Sequence, residues 1–109
     1  MTGSPFAAFD QNNFDVEVLA RRGLVLVDFW PETCAPCRQL SRLLGQLSEE
    51  IPAGVRIGTV NADDNPSLID RFGVRGVPTL LFFKDGIEVA RRTGVDRRQV
   101  LKKLVDTHA

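Results

Sequence analysis

The chain contains two cysteines, Cys34 and Cys37, which are separated by two residues in the stretch WPETCAPCRQL. A pair with this spacing can form a structural disulfide, supply part of a metal site, or cycle between a dithiol and a disulfide. A bond between them would close so short a loop that it would stabilise the fold by only about 2 kcal/mol. The spacing therefore favours chemistry over a purely structural bond.

A metal site finds little support in the rest of the sequence. A closed zinc site needs about four ligands, and the chain has no third cysteine and a single histidine, His108, in its C-terminal tail. We therefore expect no metal and no other cofactor. The redox-active centre would be the Cys34–Cys37 dithiol or disulfide itself.

The residues after the cysteines predict a helix that makes the two thiols unequal. Apolar residues recur every three or four positions and give the helix one buried face: Leu40, Leu43, Leu44, Leu47 and Ile51. Cys37 extends this face, whereas Cys34 lies a turn earlier, where solvent reaches. Free N–H groups and the helix dipole would stabilise a thiolate there. We predict that Cys34 attacks and Cys37 resolves.

Asp28 interrupts the apolar stretch LVLVDFW, which is otherwise typical of a central parallel strand covered on both faces. A carboxyl group buried in such a strand resists ionisation, so we expect its pKa to be raised. The alternative is a polar residue that meets water at the strand end. We favour a proton-transfer role, because perturbed carboxyl groups cluster at functional sites.

The whole pattern predicts one α/β domain over residues 1–109, with elements in the order β-α-β-α-β-α-β-β-α. The first helix is expected over residues 12–22. The expected helix caps are Asp10 or Asn12, Asn65 and Asp96, and the expected helix stops are Gly23 and Gly73. Asp85–Gly86 is the expected hairpin turn.

Composition narrows the class of function. Fourteen acidic and fourteen basic residues cancel, so the chain has no basic footprint for nucleic acid or an anionic membrane. The N-terminal stretch lacks a basic leader, and no apolar run is long enough to span a bilayer. We expect a cytoplasmic monomer with no nucleic-acid partner and no membrane partner.

Five separated motifs resemble the thioredoxin family: VDFW, CAPCR, NADDNP, FGVRGVPTLLFFKDG and the glycine at Gly94. Together they span nearly the whole chain. The resemblance implies the thioredoxin fold, an α/β domain with a central mixed sheet of about five strands flanked by four helices on both faces. It also implies a thiol–disulfide oxidoreductase that reduces protein disulfides and is recharged by a thioredoxin-reductase-like partner.

The resemblance also implies roles for residues around the cysteines. Asp28 would take the proton from Cys37 when Cys37 attacks the mixed disulfide. Pro78 would be cis and face the cysteines, and the backbone of Val77 would pair with an extended substrate. The implied substrate-binding residues are Trp30, Thr33, Ala35, Pro36, Gly76, Val77, Pro78 and Gly94. Plain structural roles, in the core or in turns, remain the alternative for Trp30, Pro78 and the two glycines.

Three positions depart from the family pattern. Thr33 stands where a tryptophan is common, Ala35 replaces the glycine of Cys-Gly-Pro-Cys, and Thr59 stands where a lysine is usual. We expect these changes to affect the reduction potential and the choice of partner, and the lost cation to raise the pKa of Asp28 further. Two rival functions also fit the sequence. One is a redox protein with a dedicated partner or an oxidising role, and the other is a thiol-independent binding module that uses the same surface.

Overall fold

The computed structural model describes residues 6–30 and 35–109, and a five-stranded mixed sheet lies at its centre. The strands are β1 (Ala7–Phe9), β2 (Leu24–Trp30), β3 (Arg56–Asn61), β4 (Thr79–Lys84) and β5 (Ile87–Thr93). The helices are a short π-helical segment (Asp15–Leu19), α1 (Ala35–Leu47), α2 (Pro66–Phe72) and α3 (Arg98–His108). The predicted order of elements is confirmed.

The strands are arranged in the spatial order β1-β3-β2-β4-β5. β1, β3 and β2 are parallel, whereas β4 pairs with β2 and β5 pairs with β4 in antiparallel fashion. The predicted mixed sheet is therefore confirmed, and β2 occupies its middle. This central position explains the nearly unbroken apolar sequence of β2, since helices cover both faces of the sheet.

The side chains of β2 alternate between two apolar cores. On one face, Val25, Val27 and Phe29 pack with Phe14 and with Leu68 of α2. The core on the other face combines β2 with α1 and α3, through Leu24, Leu26, Leu40, Leu44, Leu101 and Val105. α1 therefore lies on the same face of the sheet as the even-numbered side chains of β2.

The first helix was expected over residues 12–22, but the helical segment there spans only Asp15–Leu19. Asp10 caps the turn before it, since its Oδ1 atom accepts a hydrogen bond of 2.8 Å from the N–H of Asn12, and the helical segment itself begins only at Asp15. The N–H of Ala20 donates to the carbonyl of Asp15 at 2.8 Å, the five-residue spacing of a π-helical turn. The connection between β1 and β2 therefore holds this short segment rather than a full α-helix.

The predicted hairpin between β4 and β5 is confirmed. Asp85 and Gly86 have φ angles of 51° and 83°, which suit a two-residue turn between twisted strands. Gly86 also approaches the π-helical segment closely, since a Cβ atom on it would lie 2.3 Å from the carbonyl oxygen of Leu19. The Oδ1 atom of Asp85 accepts a hydrogen bond of 2.7 Å from the N–H of Gly23. The hairpin thus fixes the connection into β2.

The boundaries of α2 are as predicted, although the capping side chain acts differently. Asn65 precedes the helix, Pro66 is its first residue, and Gly73 ends it in the left-handed conformation with φ of 61°. The side chain of Asn65 makes no capping bond. Instead its Oδ1 atom accepts from the N–H of Gln11 at 3.0 Å, and its Nδ2 atom donates to the carbonyl of Asn61 at 2.9 Å.

The expected capping of α3 by Asp96 is wrong. The helix begins after Arg97, and no side chain caps it. Both carboxylate oxygens of Asp96 accept hydrogen bonds from the guanidinium of Arg92, at 2.7 and 3.0 Å. A two-pronged, charge-assisted pair is stronger than a bond to a neutral N–H, so the arginine takes the carboxylate.

Candidate active site

Cys37 lies in the first turn of α1 and faces the core, as its spacing predicted. It is 4 % exposed, and Leu40 and Leu44, three and seven positions later, are also buried. Cys37 is disulfide-bonded, and Cys34 is the only other cysteine in the sequence. Residues 31–34 lie outside the described residues, so the predictions for Thr33 and Cys34 stay predictions.

The backbone of α1 starts at Ala35 and continues through Pro36. The first turn of a helix tolerates proline, because an N–H there has no partner within the helix. The sequence between the cysteines is therefore compatible with a helix that begins at the motif. The substrate-binding roles expected of Ala35 and Pro36 remain untested.

Asp28 lies in the middle of the sheet, close to the carboxyl end of β2. It is 2 % exposed, and its Oδ1 atom has no hydrogen-bond partner among residues 6–30 and 35–109. Burial raises the pKa of this carboxyl group from 3.8 to about 7, because the charged form loses its hydration. The expected raised pKa is confirmed, and the alternative of a strand-end residue in contact with water is not.

Asp28 and Cys37 lie on the same side of the sheet. Leu24 and Leu26 of β2 share a core with α1, and Asp28 follows them at the same parity along the strand. Cys37 belongs to the buried stripe of α1 that covers this face. A buried carboxyl group and a buried cysteine sulfur therefore face the same layer between β2 and α1.

The loop before β4 gathers the predicted docking residues. The peptide bond between Val77 and Pro78 is cis, as the resemblance implied. The N–H of Gly94 donates to the carbonyl of Pro78 at 2.8 Å, and a Cβ atom on Gly76 would lie 3.2 Å from the Cγ2 atom of Thr93. The structure thus brings together four of the residues that the sequence singled out, at the start of β4 and the end of β5.

This loop presents an apolar side chain beside the end of β2. Val77 is 42 % exposed, whereas Pro78 is buried. Thr79, the next residue, pairs with Phe29 in the sheet, so the loop lies near the point where β2 ends at Trp30. Gly94 has φ of 87°, a conformation that favours glycine. Because glycine has no side chain, the space beside Pro78 stays accessible to a substrate backbone.

Trp30 is the last residue of β2 and is half-buried. Its carbonyl oxygen accepts a hydrogen bond of 2.7 Å from the N–H of Ala62, which ties the end of β2 to the chain after β3. Trp30 lines a groove of about 380 Å³, the polar groove. The lining residues are Ala8, Phe9, Asp10, Gln11, Asn12, Trp30, Thr59, Asn61, Asp64 and Asn65.

The polar groove was not anticipated from the sequence, although a signal for it is present. Polar residues follow β1 directly at Asp10, Gln11 and Asn12, and others follow β3 in the NADDNP stretch. The carboxyl ends of parallel strands meet at one edge of a sheet, and ligand-binding clefts of α/β sheets form there. What the sequence alone does not reveal is that β1 and β3 are neighbours.

Residues 6–30 and 35–109 contain neither a metal-ligand cluster nor a membrane-spanning helix. Within these ranges, no three His, Cys, Asp or Glu side chains cluster as metal ligands would. The described helices include none with both the length and the apolar character that crossing a bilayer requires.

The mixed sheet, with helices on both faces, defines an α/β protein with the thioredoxin fold. The thioredoxin family profile matches residues 5–107, and the chain belongs to this family. It is 44% identical over 97 residues to a thioredoxin of Chlamydia pneumoniae, covering 89% of this chain and 92% of that protein.

Two further relatives extend the likeness over almost the full chain. Thioredoxin 1 of Synechococcus elongatus is 36% identical over 102 residues, which are 94% of this chain and 95% of that protein. A thioredoxin of Chlorobaculum thiosulfatiphilum is 35% identical over 106 residues, or 97% of each chain. Membership of the family indicates a thiol–disulfide oxidoreductase with protein substrates and a reductase as partner.

Proposed function

We propose that the protein reduces disulfide bonds in other proteins through a mixed disulfide at Cys34 that Cys37 resolves. In the first step the thiolate of Cys34 attacks one sulfur of the substrate disulfide. A bond forms between Cys34 and that sulfur, the substrate S–S bond breaks, and the departing substrate thiolate takes a proton from solvent.

In the second step Cys37 loses its proton to the carboxylate of Asp28, and its thiolate attacks the sulfur of Cys34. The mixed disulfide breaks, the second substrate thiolate leaves and is protonated, and a disulfide joins Cys34 to Cys37. The substrate gains two electrons and two protons. A reductase of the thioredoxin-reductase kind then supplies two electrons and two protons to restore the dithiol.

The observation that supports this mechanism best is the state of Asp28. Its carboxyl group is buried on the face that α1 covers, its Oδ1 atom has no partner in the described part of the chain, and its pKa is about 7. A general base works best when its pKa is near the working pH, because it is then both available and basic enough to accept the proton. Asp28 meets this condition near neutral pH.

Substrate docking is assigned to the cis-proline loop. Its exposed Val77 and the small Gly76 and Gly94 leave room for an extended substrate segment to lie against the backbone. A segment docked there would lie beside the end of β2, at Trp30. We further propose that the protein works in the cytoplasm as a monomer, with the Cys34–Cys37 pair as its only redox centre.

The test uses insulin as the disulfide substrate and dithiothreitol as the electron source. The wild-type protein should accelerate insulin reduction, Cys34→Ser should abolish the acceleration, and Cys37→Ser should accumulate a mixed disulfide that mass spectrometry locates at Cys34. Ser48→Ala, a change in the turn after α1, serves as the control and should behave as wild type. Insulin reduction that survives Cys34→Ser would overturn the proposal.

Titration of the pair against glutathione decides the direction of electron flow. A reduction potential well below that of the glutathione pool fits a reductant. A potential above it would contradict the reducing role and favour the oxidising alternative.

A further inference from the structure

The two register partners of Asp28 in the sheet differ in chemistry. Thr59 of β3 lies on one side of it and Leu80 of β4 on the other. Side chains at paired positions share one face of the sheet, and neighbouring strands lie about 4.8 Å apart. Leu80 is 1% exposed and apolar, so the hydroxyl of Thr59 is the polar group beside the buried carboxyl in this row.

Thr59 also lines the polar groove, whereas Asp28 does not. In the same row of the sheet, Ala8 of β1 pairs with Thr59 on the side away from Asp28, and it too lines the groove. Ala8 is exposed, Thr59 is half-buried and Asp28 is buried. The row therefore leads from open groove to buried carboxyl, and Thr59 stands between the two.

The remaining groups on this face are few. The titratable side chain from α1 is Cys37, and α3 contributes the apolar Leu101. From β5, Arg92 lies beyond Leu80 in the same row, where Asp96 holds it. The carboxylates of the polar groove are Asp10 and Asp64. Thr59 is a register partner of Asp28, and none of these other groups is.

We propose that Thr59 is the positioning residue through which Asp28 exchanges its proton with solvent in the polar groove. The inference rests on the proposed function, in which Asp28 receives a proton from Cys37 and must lose it before the next cycle. A threonine hydroxyl can donate to the carboxylate, or accept from the protonated carboxyl while it donates to water. The step moves one proton from the carboxyl to water and no electrons.

A hydroxyl at this position acts differently from the lysine that is usual in the family. A lysine would favour the carboxylate by its charge, and its long side chain would occupy the space outside Asp28. Thr59 adds no charge, and it forms part of the wall of an open groove. The chain thus combines a carboxyl group that is hard to ionise with a short polar connection to solvent.

The test is a ¹³C NMR titration of the Asp28 carboxyl group in the disulfide form, in which Cys37 does not titrate. Thr59→Val keeps the shape of the side chain and removes its hydroxyl, so it should raise the pKa of Asp28 by about one unit. Thr59→Ser keeps the hydroxyl and should titrate like wild type. If Thr59→Val titrates like wild type, or if Thr59→Ser shifts as far as Thr59→Val, the proposal is wrong.

A second variant tests the groove without touching the hydroxyl. Ala8→Leu adds apolar volume to the groove beside Thr59 and should also raise the pKa of Asp28, because the carboxylate becomes less well solvated. Thr107→Val, on the exposed side of α3, makes the same change as Thr59→Val away from the groove and should leave the titration unchanged. An unaltered titration in Ala8→Leu would show that Asp28 does not meet solvent through this groove.

These titrations need neither a substrate nor a reductase, so their outcome is separate from that of the insulin assay. If insulin reduction fails while Thr59→Val shifts the titration, the proposed function falls and the link between Asp28 and the groove stands. If the protein reduces insulin while none of the titrations changes, the function stands and the role of Thr59 falls.

Discussion

At the scale of single residues, the buried carboxyl of Asp28 should make folding stability depend on pH. Its pKa is about 7 in the folded protein, against 3.8 for the ordinary group. Between these two values the folded state binds more protons than the unfolded state, so this group lowers stability as pH rises from about 4 to 7. The shift corresponds to a free energy on the order of 4 kcal/mol.

Replacement by asparagine removes this dependence. Relative to wild type, the free energy of unfolding of Asp28→Asn should rise by on the order of 4 kcal/mol between pH 4 and pH 8, because the wild type alone loses stability over this range. Urea unfolding at both pH values measures it. Asp70→Asn changes an exposed aspartate and should show no such trend. A constant difference between Asp28→Asn and wild type across this range would show that Asp28 is not a high-pKa group.

At the scale of elements, a glycine in the β4–β5 hairpin and a glycine in α1 differ in whether alanine can replace them. Gly86 has φ of 83° and lies against the carbonyl of Leu19, so Gly86→Ala combines backbone strain with a clash. Gly45 lies within α1, and a Cβ atom there would meet nothing within 4 Å. Only the second site can accept a methyl group at no steric cost.

The matched pair of variants tests this difference by urea unfolding. Gly86→Ala should lower the free energy of unfolding by about 2 kcal/mol or more. Gly45→Ala should raise it by up to about 1 kcal/mol, because alanine loses less entropy in a helix than glycine. Equal effects of the two substitutions would mean that the hairpin does not hold the π-helical segment as described.

The elements were predictable wherever the signal is local. The Asp-Gly turn, the proline and glycine at the two ends of α2, and the apolar stripe of α1 each depend on neighbouring residues. The first two are confirmed, and the stripe is confirmed at Leu40, Leu44 and Leu47. Leu43 is only half-buried, and Ile51 lies beyond the end of α1. The failures involve a side chain with a stronger alternative partner, or a contact set by tertiary packing. Asp96 is drawn to Arg92 rather than to α3, and the first helix is cut short where the hairpin meets Leu19.

At the scale of the whole molecule, the sequence predicted the fold and the environment of Asp28 but not the polar groove. The nearly unbroken apolar run LVLVDFW is enough to predict that a carboxyl group at position 28 is desolvated, and the pKa near 7 agrees. The groove depends on the strand order β1-β3-β2, which no local pattern specifies. The roles of Cys34 and Cys37 were predicted from spacing and await experiment.

The proposed mechanism depends on proton transfer from Cys37 to Asp28, and single-turnover kinetics of the resolving step test this most directly. Reduced protein is mixed with a disulfide substrate, quenched in acid, and the mixed disulfide is followed by mass spectrometry between pH 6 and pH 8. In the wild-type protein, decay of the mixed disulfide should quicken through pH 7 as Asp28 ionises. In Asp28→Asn the decay should be about 100-fold slower, while formation is unchanged. Matching decay profiles in the two proteins would contradict the account.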